Sequence, residues 1–399
     1  MKKLLFTAII LISAMIAHAQ YSIVLKANVP GTLRHHASAF SINGLGYLGT
    51  GRTQSGGYLT DWWEYNPISD TWTQKANFPG GSRSHAVGFS IGNKGYIACG
   101  RNTAGYLNQL WEYDPGTDAW TQKPNFPGAA REHPVAVVLN AEGYVGTGRG
   151  ASNYNDFYKY NPIPNTWTAI PNFPGTIRHH PSGFAIGNKM YIGTGHDFTN
   201  AMMADFYYYN SSTNTWTQIA NIPGAGRVAA AGLNLYDKGL ILWGGDDVGN
   251  SYTSYFRYDT LAQAWTPYTT FTGTPLWGSA FFVINNKGYV GSGTAGGSVQ
   301  NEFYEITDLS VGIAENNVPA ISVYPNPGNG IFNLEMSQFE NLKMEFVDVY
   351  NVMGEKVFHQ QISKSSNLQI DVSAYGKGIY FYSLKGENFS VRTGKLVVQ

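Results

Sequence analysis

Arginine recurs at two fixed positions of a repeated sequence, and its planar guanidinium suits the binding of carboxylate, sulfate or phosphate groups. The first position lies 13 residues before a recurring Tyr, or before Leu240 in the fifth copy, and holds Arg34, Arg83, Arg131, Arg178 and Arg227. The second position follows a Gly-x-Gly-like segment and holds Arg52, Arg101, Arg149 and His196. If the copies close into a ring, these side chains surround one channel mouth, which predicts a binding site for an anionic ligand.

A structural role for the same residues is an alternative interpretation. A residue that recurs in every copy is expected first to support the scaffold, and each arginine of the first set could bond carbonyls of a neighbouring copy. The second set lies at loop tips, where arginine is rarely needed for packing. Departures from the repeat therefore carry more functional information, and they are His196, Trp243, Asp246, Asp247 and Trp277.

Histidine recurs two residues after the first-set arginine, at His36, His85, His133 and His180. His35 and His179 extend two of these positions into His-His pairs. A metal site is one hypothesis, but adjacent residues of a strand point to opposite faces, so both members of a pair should not face one channel. No carboxylate recurs at these positions. The sequence therefore favours histidines bonded to backbone, with no metal and no cofactor.

Other catalytic patterns find little support. The single cysteine, Cys99, stands in the position that Thr or Ser holds in the other copies, which indicates a small residue before a glycine. The sequence contains no Gly-x-Ser-x-Gly elbow, phosphate-binding loop or His-Glu-x-x-His motif. These observations favour a protein that binds over one that catalyses.

The elements that must position these residues are short strands. A Trp followed by Thr recurs 47 to 49 residues apart, at Trp72, Trp120, Trp167, Trp216 and Trp265. Each copy contains four predicted strands, such as Ala37–Ile42, Tyr47–Gly49, Trp62–Tyr65 and a strand around Trp72, with Asn-Gly or Gly-Asn turns between the first two. Four strands in about 50 residues are typical of one propeller blade.

The recurring Gly-x-Gly, Tyr-Asn/Asp-Pro and Trp resemble those of kelch repeats, which implies a kelch-type β-propeller over residues 20–309. Five copies are complete and the sixth lacks its last strand. The segment Ile23–Lys26 aligns with the strand at Trp72, so we expect it to supply the missing strand and close a six-bladed ring. Strand alternation puts the long loops Arg52–Thr60, Arg101–Gln109, His196–Ala204 and Asp246–Thr253 on the face where each blade begins, here called the loop-rich face.

Composition agrees with an all-β globular protein. The 399 residues include 26 basic and 26 acidic side chains, and only 13% are charged. The sequence therefore lacks the excess of basic residues expected of a nucleic-acid-binding protein.

Residues 1–19 combine Lys2 and Lys3, an apolar run and Ala17-His18-Ala19, which predicts a secretory signal peptide. The rest of the sequence holds no apolar run long enough for membrane insertion.

A second module occupies residues 320–399, after a polar linker at 310–319. Alternating segments between turn residues predict a small β-sandwich. Its sequence resembles the type A C-terminal sorting domain of the type IX (Por) secretion system. The matching residues are Tyr324-Pro325-Asn326-Pro327, Gly330, Val349-Tyr350-Asn351, Gly354, Gly378-Ile379-Tyr380 and Lys395-Leu396-Val397-Val398. The resemblance implies that this module engages the type IX machinery of a Gram-negative bacterium and that the protein is secreted or attached to the outer cell surface.

The sequence thus predicts an exported kelch propeller that recognises an anionic glycan or a protein on its loop-rich face. An alternative is a carbohydrate-active enzyme similar to the sialic acid mutarotases, which are also secreted six-bladed kelch proteins, because an arginine-lined mouth would suit a sugar carboxylate. No catalytic carboxylate can be assigned from that family. A scaffold that engages proteins through the propeller rim is a third interpretation.

Overall fold

The computed structural model describes residues 21–246, 250–268, 273–309, 321–336, 344–361, 367–386 and 389–399. The chain divides into two compact units, residues 1–312 and 313–399. The predicted signal peptide and the predicted linker at 310–319 lie outside the described residues. Within the described part of the chain, no helix is long and apolar enough to cross a membrane.

The first unit is built from six four-stranded antiparallel sheets, numbered here as blades in chain order. Blade 1 contains β2 (Ser38–Ile42), β3 (Leu45–Gly49), β4 (Trp62–Asn66) and β5 (Thr71–Lys75). Blade 2 contains β6 (Val87–Ile91), β7 (Lys94–Ala98), β10 (Leu110–Asp114) and β11 (Ala119–Lys123), with a small hairpin of β8 (Arg101–Asn102) and β9 (Gly105–Tyr106) in its loop. Blade 3 contains β12 (Val135–Leu139), β13 (Glu142–Gly146), β14 (Phe157–Asn161) and β15 (Thr166–Ile170).

The remaining blades follow the same order. Blade 4 contains β16 (Ser182–Ile186), β17 (Lys189–Gly193), β18 (Phe206–Asn210) and β19 (Thr215–Ile219). Blade 5 contains β20 (Ala231–Leu235), β21 (Lys238–Leu242), β22 (Tyr255–Asp259) and β23 (Ala264–Tyr268). Blade 6 contains β24 (Ala280–Ile284), β25 (Lys287–Ala295), β26 (Ser298–Asp308) and β1 (Tyr21–Leu25).

The outer strand of blade 6 comes from the beginning of the described chain. Strand β1 pairs antiparallel with β26, with Tyr21 opposite Asp308 and Leu25 opposite Tyr304. Tyr21 is buried against the rings of Tyr255 and Tyr268 of blade 5. The two ends of the propeller sequence are therefore joined within one sheet, so blade 6 has no unpaired outer edge on β26.

The inner strands β2, β6, β12, β16, β20 and β24 form a closed ring, since each contacts the next and β24 contacts β2. Glycine in the second strand permits close packing between blades. At Gly95 a Cβ atom would lie 2.1 Å from the ring of Phe40 in the preceding blade, and at Gly239 it would lie 2.0 Å from the ring of Phe184. These glycines are thus sites where an aromatic ring of one blade lies directly on the backbone of the next.

The recurring tryptophans also join neighbouring blades. Each indole N–H donates a hydrogen bond of 2.8–3.1 Å to a carbonyl about 45 residues earlier in the chain. The pairs are Trp72–Ala27, Trp120–Ala76, Trp167–Pro124, Trp216–Pro171 and Trp265–Ala220. The blade repeat is therefore stabilised at its periphery by directed bonds as well as by apolar packing.

The second unit is a sandwich of two sheets. One sheet has the order β27 (Ile321–Tyr324), β28 (Ile331–Met336), β31 (Asn367–Asp371). The other has the order β30 (Lys356–Gln361), β29 (Met344–Tyr350), β32 (Gly378–Gly386), β33 (Phe389–Val398), and a short 3-10 helix spans Ser373–Tyr375. One apolar cluster takes Phe332 and Ile370 from the first sheet and Val347, Tyr380 and Leu396 from the second.

Candidate ligand-binding site at the propeller hub

On the loop-rich face, each blade carries a short backbone ladder just before its inner strand. His35 and Arg52 exchange two hydrogen bonds, of 3.0 and 2.9 Å. The equivalent pairs in blades 2 to 6 are Ser84–Arg101, Glu132–Arg149, His179–His196, Val228–Gly245 and Trp277–Thr294. The position of Arg52 is therefore held in blade 5 by Gly245, and Asp246 is the residue after it.

The five first-set arginines are buried, with at most 2% of each exposed, and they are Arg34, Arg83, Arg131, Arg178 and Arg227. Arg131 is representative: it donates to the Asp156 carboxylate at 2.6 and 2.9 Å, to the Thr147 carbonyl at 2.8 Å and to the Ala129 carbonyl at 2.8 Å. Its guanidinium also lies over the ring of Phe126. These bonds satisfy the donors of the guanidinium with acceptors near it in its own blade. They support the scaffold interpretation of this set.

Within the described residues, two first-set arginines have no carboxylate among their hydrogen-bond partners. Where blades 1, 3 and 4 place an aspartate, Arg83 meets Gln109 and Arg227 meets Ser254. Burial lowers the pKa of both arginines to about 10. They still carry their charge at neutral pH, and carbonyl, amide and hydroxyl oxygens accept their hydrogen bonds.

The second set differs, because three of its members reach solvent. The side chain of Arg101 is 42% exposed and that of Arg149 is 31% exposed, and Arg52 is partly exposed. The fourth member, His196, is buried and its ring lies 3.8 Å from that of His179. Of the nine predicted ligand-binding residues, Arg52, Arg101 and Arg149, here called the arginine trio, are the ones that remain accessible.

Glu132 is a residue of this site that sequence reasoning missed. It is 1% exposed. Its carboxylate accepts hydrogen bonds of 2.6 and 3.2 Å from Arg149 and lies 3.8 Å from Arg101. It occupies the position of His35, Ser84 and His179 in the repeat, so the break in pattern was available as a signal. The expectation that no carboxylate accompanies the histidines is wrong.

Six backbone hydrogen bonds form a closed ring around the propeller axis. Each of His36, His85, His133, His180, Ala229 and Gly278 donates its N–H to the carbonyl of the preceding member, over 2.7–3.3 Å, and His36 donates to Gly278. All six residues, here called the hub ring, have positive φ between 50° and 62°. The bonds join each blade to the next, and four of the six side chains are imidazoles.

The imidazoles meet at the axis. The ring centroids of His36 and His85 are 4.2 Å apart, as are those of His85 and His133, and His133 lies against His180 at 3.3 Å. His35 also joins, with its Nδ1 atom 2.6 Å from Nδ1 of His36. The prediction that a His-His pair cannot face one channel was wrong, because His35 and His36 precede β2 and His36 has a left-handed backbone.

Burial controls protonation in this cluster. It lowers the pKa of His36, His85, His133 and His180 well below the usual value of histidine. At His85, the other causes include the neighbouring His35 and the positive charges of all three arginines of the trio. These imidazoles are therefore neutral at neutral pH and each offers a lone pair.

Around the imidazoles lies a cavity of about 140 Å³, lined by small residues of the inner strands such as Ala39, Gly88 and Ala136 together with the four hub-ring histidines. Trp277 is close, with its ring 4.8 Å from that of His36. Trp243 is instead fully buried in the apolar cluster of blades 5 and 6. Cys99 is also fully buried, and burial raises its pKa to about 12, which leaves no reactive thiolate.

Among the described residues, four groups of side chains could hold a metal ion. They are His35-His36-His85, His36-His133-His180, His179-His180-His196 and His85-Glu132-His133, and in each the possible ligand atoms lie within 4.8 Å of one another. Imidazole nitrogen is a good ligand for zinc, copper and nickel. The site thus combines cations at the mouth with neutral nitrogen donors below.

Comparisons with known proteins agree with this architecture. Residues 14–185 match the KLHDC2/KLHL20/DRC7 Kelch-repeats domain, and residues 322–399 match the Secretion system C-terminal sorting domain. No curated protein matches the chain. A solved structure titled "Structure of YjhT" is similar over 70% of this chain and 97% of that chain, with a TM-score of 0.60 and 17% identity, which shows a shared fold.

The chain is therefore an all-β kelch-type propeller followed by a secretion-system sorting domain. The sorting domain implies export by the type IX secretion system to the cell surface or the extracellular space.

Proposed function

We propose that this protein is a binding protein of the outer cell surface or extracellular medium, whose propeller recognises an anionic group of a glycan or protein at the loop-rich face. The supporting observation is the convergence of the arginine trio from three successive blades on one place. Arg101 and Arg149 both lie within 4 Å of the Glu132 carboxylate. The positive charges of all three arginines contribute to the lowered pKa of His85. Two accessible guanidiniums, those of Arg101 and Arg149, therefore lie beside one buried carboxylate, and the third lies near the same imidazole.

The distribution of charge around the mouth supports a ligand that binds on one side of it. Blades 1 to 3 contribute the arginine trio, whereas the loop of blade 4 carries Asp197 and that of blade 5 carries Asp246. Asp197 accepts hydrogen bonds within its own loop, from Thr199 and Ala201. An anionic group would therefore be attracted to blades 1 to 3 and repelled from blades 4 and 5.

Aromatic rings beside the trio support a glycan as the carrier of that anionic group. The guanidinium of Arg52 lies over Tyr58, and that of Arg101 lies over Tyr106, at 5.7 and 5.4 Å. Both tyrosines are partly exposed. A flat ring next to a guanidinium offers stacking to a sugar face and a charged fork to its carboxylate or sulfate.

The test is binding of the full chain, purified without the predicted signal peptide, to an array of carboxylated and sulfated glycans and polyanions. The Arg52→Ala/Arg101→Ala variant should bind the best hit at least about tenfold more weakly at low salt, and the difference should shrink as salt rises. Removing two guanidiniums lowers the local positive potential that attracts the ligand.

The matched control is Lys94→Ala/Lys238→Ala, which removes two cations that follow the first turn of blades 2 and 5 on the opposite face. These lysines pair with Asp114 and Asp259. The control should bind like the unaltered protein. Equal binding by the arginine variant, or equal losses in both variants, would contradict the proposal.

A sialic acid mutarotase activity is the second candidate. It is favoured by the proximity of the arginine trio, which could hold the carboxylate of a sugar acid, to Glu132 and His85, which could exchange protons. NMR of N-acetylneuraminate distinguishes the two functions. A mutarotase accelerates anomer interconversion above the buffer rate, whereas a binding protein leaves that rate unchanged.

A further inference from the structure

Three hub-ring imidazoles from different blades lie close together at the axis. The ring of His133 lies against that of His180, with centroids 3.3 Å apart, so His133 must turn away from it for all three to bind one ion. The ring nitrogens of His36, His133 and His180 lie within 4.8 Å of one another. The Nε2 atoms of His36 and His180 are 3.1 Å apart. Two nitrogens bound to one tetrahedral zinc ion, at about 2.0–2.1 Å each, are separated by roughly 3.3 Å. The spacing of this pair is thus close to that of two ligands of a single ion.

His133 needs a partner that the described residues do not provide. It is 8% exposed, and neither of its ring nitrogens has a hydrogen-bond partner in the described part of the chain. A buried polar atom left without a partner destabilises the folded protein. A cation at this place would satisfy the nitrogen lone pair.

The other nitrogens of the remaining two rings are held in the way that metal ligands usually are. Nδ1 of His36 lies 2.6 Å from Nδ1 of His35, and Nδ1 of His180 lies 3.2 Å from Nε2 of His196. A ligating histidine commonly donates its second ring N–H to an outer acceptor, which fixes the ring orientation. His35 and His196 can act as those acceptors, which leaves the Nε2 atoms of His36 and His180, 3.1 Å apart, available to a metal ion.

We propose that His36, His133 and His180 bind a divalent transition-metal ion of the zinc, copper or nickel class at the centre of the hub ring. Three neutral imidazoles without a carboxylate select such ions over magnesium or calcium, which require oxygen ligands. Three protein ligands leave a fourth tetrahedral position for water or an exogenous ligand. The adjoining cavity of about 140 Å³ provides room for it.

The other histidine groups are less suited. In His35-His36-His85, Nδ1 of His85 bonds the Ser84 hydroxyl. In His85-Glu132-His133, the carboxylate is already bound by Arg149 at 2.6 Å. In His179-His180-His196, Nε2 of His196 already contacts Nδ1 of His180. The chosen triad includes the two nitrogens of His133 that lack partners.

The experiment uses the full chain, purified without a histidine tag, stripped with a chelator and titrated with Co²⁺ and then Zn²⁺. We expect about one equivalent of Co²⁺ with the visible absorption of a four-coordinate site, displaced by Zn²⁺. Zinc should also raise the melting temperature, because an ion that binds only the folded state stabilises it. No binding of either ion at micromolar concentration would overturn the proposal.

Two variants assign the ligands. His133→Ala and His36→Ala should each lose at least about tenfold in Co²⁺ affinity and lose the zinc-dependent rise in melting temperature. Both should fold, because Ala229 already occupies the equivalent hub-ring position with φ 52°. Circular dichroism and melting of the metal-free variants check this.

His359→Ala is the control, since this histidine belongs to the second unit and pairs with Asp348. It should bind Co²⁺ like the unaltered chain. His179→Ala should keep the four-coordinate spectrum, because His179 is absent from the triad. An unchanged spectrum in folded His133→Ala, or its loss in His179→Ala, would show that the ion is bound elsewhere. The outcome is independent of the anion-binding proposal, which depends on the arginine trio.

Discussion

The buried arginine of each blade joins segments that are distant in the sequence. In blade 1, Arg34 bonds the carbonyl of Thr50 at 3.1 Å and the carboxylate of Asp61 at 2.8 Å. Its own carbonyl accepts the N–H of Gly293 from blade 6. A buried guanidinium is tolerated only when its donors are satisfied and its charge is opposed. The recurrence of this arginine is therefore explained by its structural role in each blade. The number of such arginines in the sequence says little about ligand binding.

The Arg34–Asp61 pair predicts a dependence of stability on acid. Burial alone would raise the pKa of Asp61, but the hydrogen bond and charge of Arg34, with the indole N–H of Trp63, lower it below its usual value. The native pKa is thus below that of the unfolded chain, so the carboxylate stabilises the fold above about pH 4, and this contribution is lost as the pH falls.

We expect Asp61→Asn to be less stable than the unaltered protein near neutral pH and to lose less of its unfolding free energy between about pH 5 and pH 2. Urea denaturation at several pH values measures both effects. An amide is compatible with this place, because blade 2 carries Gln109 against Arg83. Parallel stability curves for the two proteins would contradict the assignment.

Residue-level prediction from the repeat was incomplete where the repeat breaks. The positions of both arginine sets follow from spacing alone. The histidine cluster does not, because it requires the left-handed backbone of His36 and its equivalents, which strand alternation cannot anticipate. Glu132 was missed for a related reason: a single departure in blade 3 gains its meaning only when Arg101 and Arg149 are brought beside it.

At the scale of elements, the sequence predicted most strands closely. The predicted strand Ala37–Ile42 is one residue longer than the observed Ser38–Ile42, and the predicted Trp62–Tyr65 is one residue shorter than the observed Trp62–Asn66. Turn residues and period-two alternation are local signals and mark strand ends well. The hub ring is non-local, since it joins six blades, and local patterns cannot predict it.

Strand β1 gives a test of how blade 6 is held. Tyr21→Ala removes a ring that is 4% exposed and that packs edge-on against Tyr255 and Tyr268. We expect it to lower the unfolding free energy by about 3–5 kcal/mol, as truncation of a buried aromatic residue does. Thermal and urea denaturation of the full chain provide the measurement.

Val24→Ala is the matched control in the same strand, because Val24 is 49% exposed. It should change stability by less than about 0.5 kcal/mol. A similar, small effect of both substitutions would mean that β1 contributes little to the propeller. Deleting residues 21–28 should have a larger effect than Tyr21→Ala, since it also removes the backbone bonds to β26.

At the scale of the whole molecule, the two units have separate cores and separate tasks. The apolar cluster of the second unit contains residues of β28, β29, β31, β32 and β33, together with Val372. Its match to a secretion-system sorting domain assigns export to this unit, whereas the candidate binding site consists of propeller residues.

Export should therefore depend on the second unit, and removal of that unit should leave the fold of the first unit unchanged. In a bacterium with a type IX secretion system, a chain lacking residues 322–399 should stay in the periplasm, while the full chain reaches the surface or the medium. Cell fractionation and immunoblotting measure this distribution. Equal amounts of both chains outside the cell would contradict the assignment. Circular dichroism of the truncated chain should still show the β-sheet signal of the propeller.

The main-chain ring at the axis has a consequence for protein design. Its six hydrogen bonds involve only N–H and C=O groups, and the same place already accepts histidine, alanine and glycine. The identity of the central side chains is therefore largely decoupled from the assembly of the blades. A chain with Ala229→His, or with fewer imidazoles, should retain its blade arrangement, so the number of donor atoms on the axis becomes a quantity that an experimenter can set.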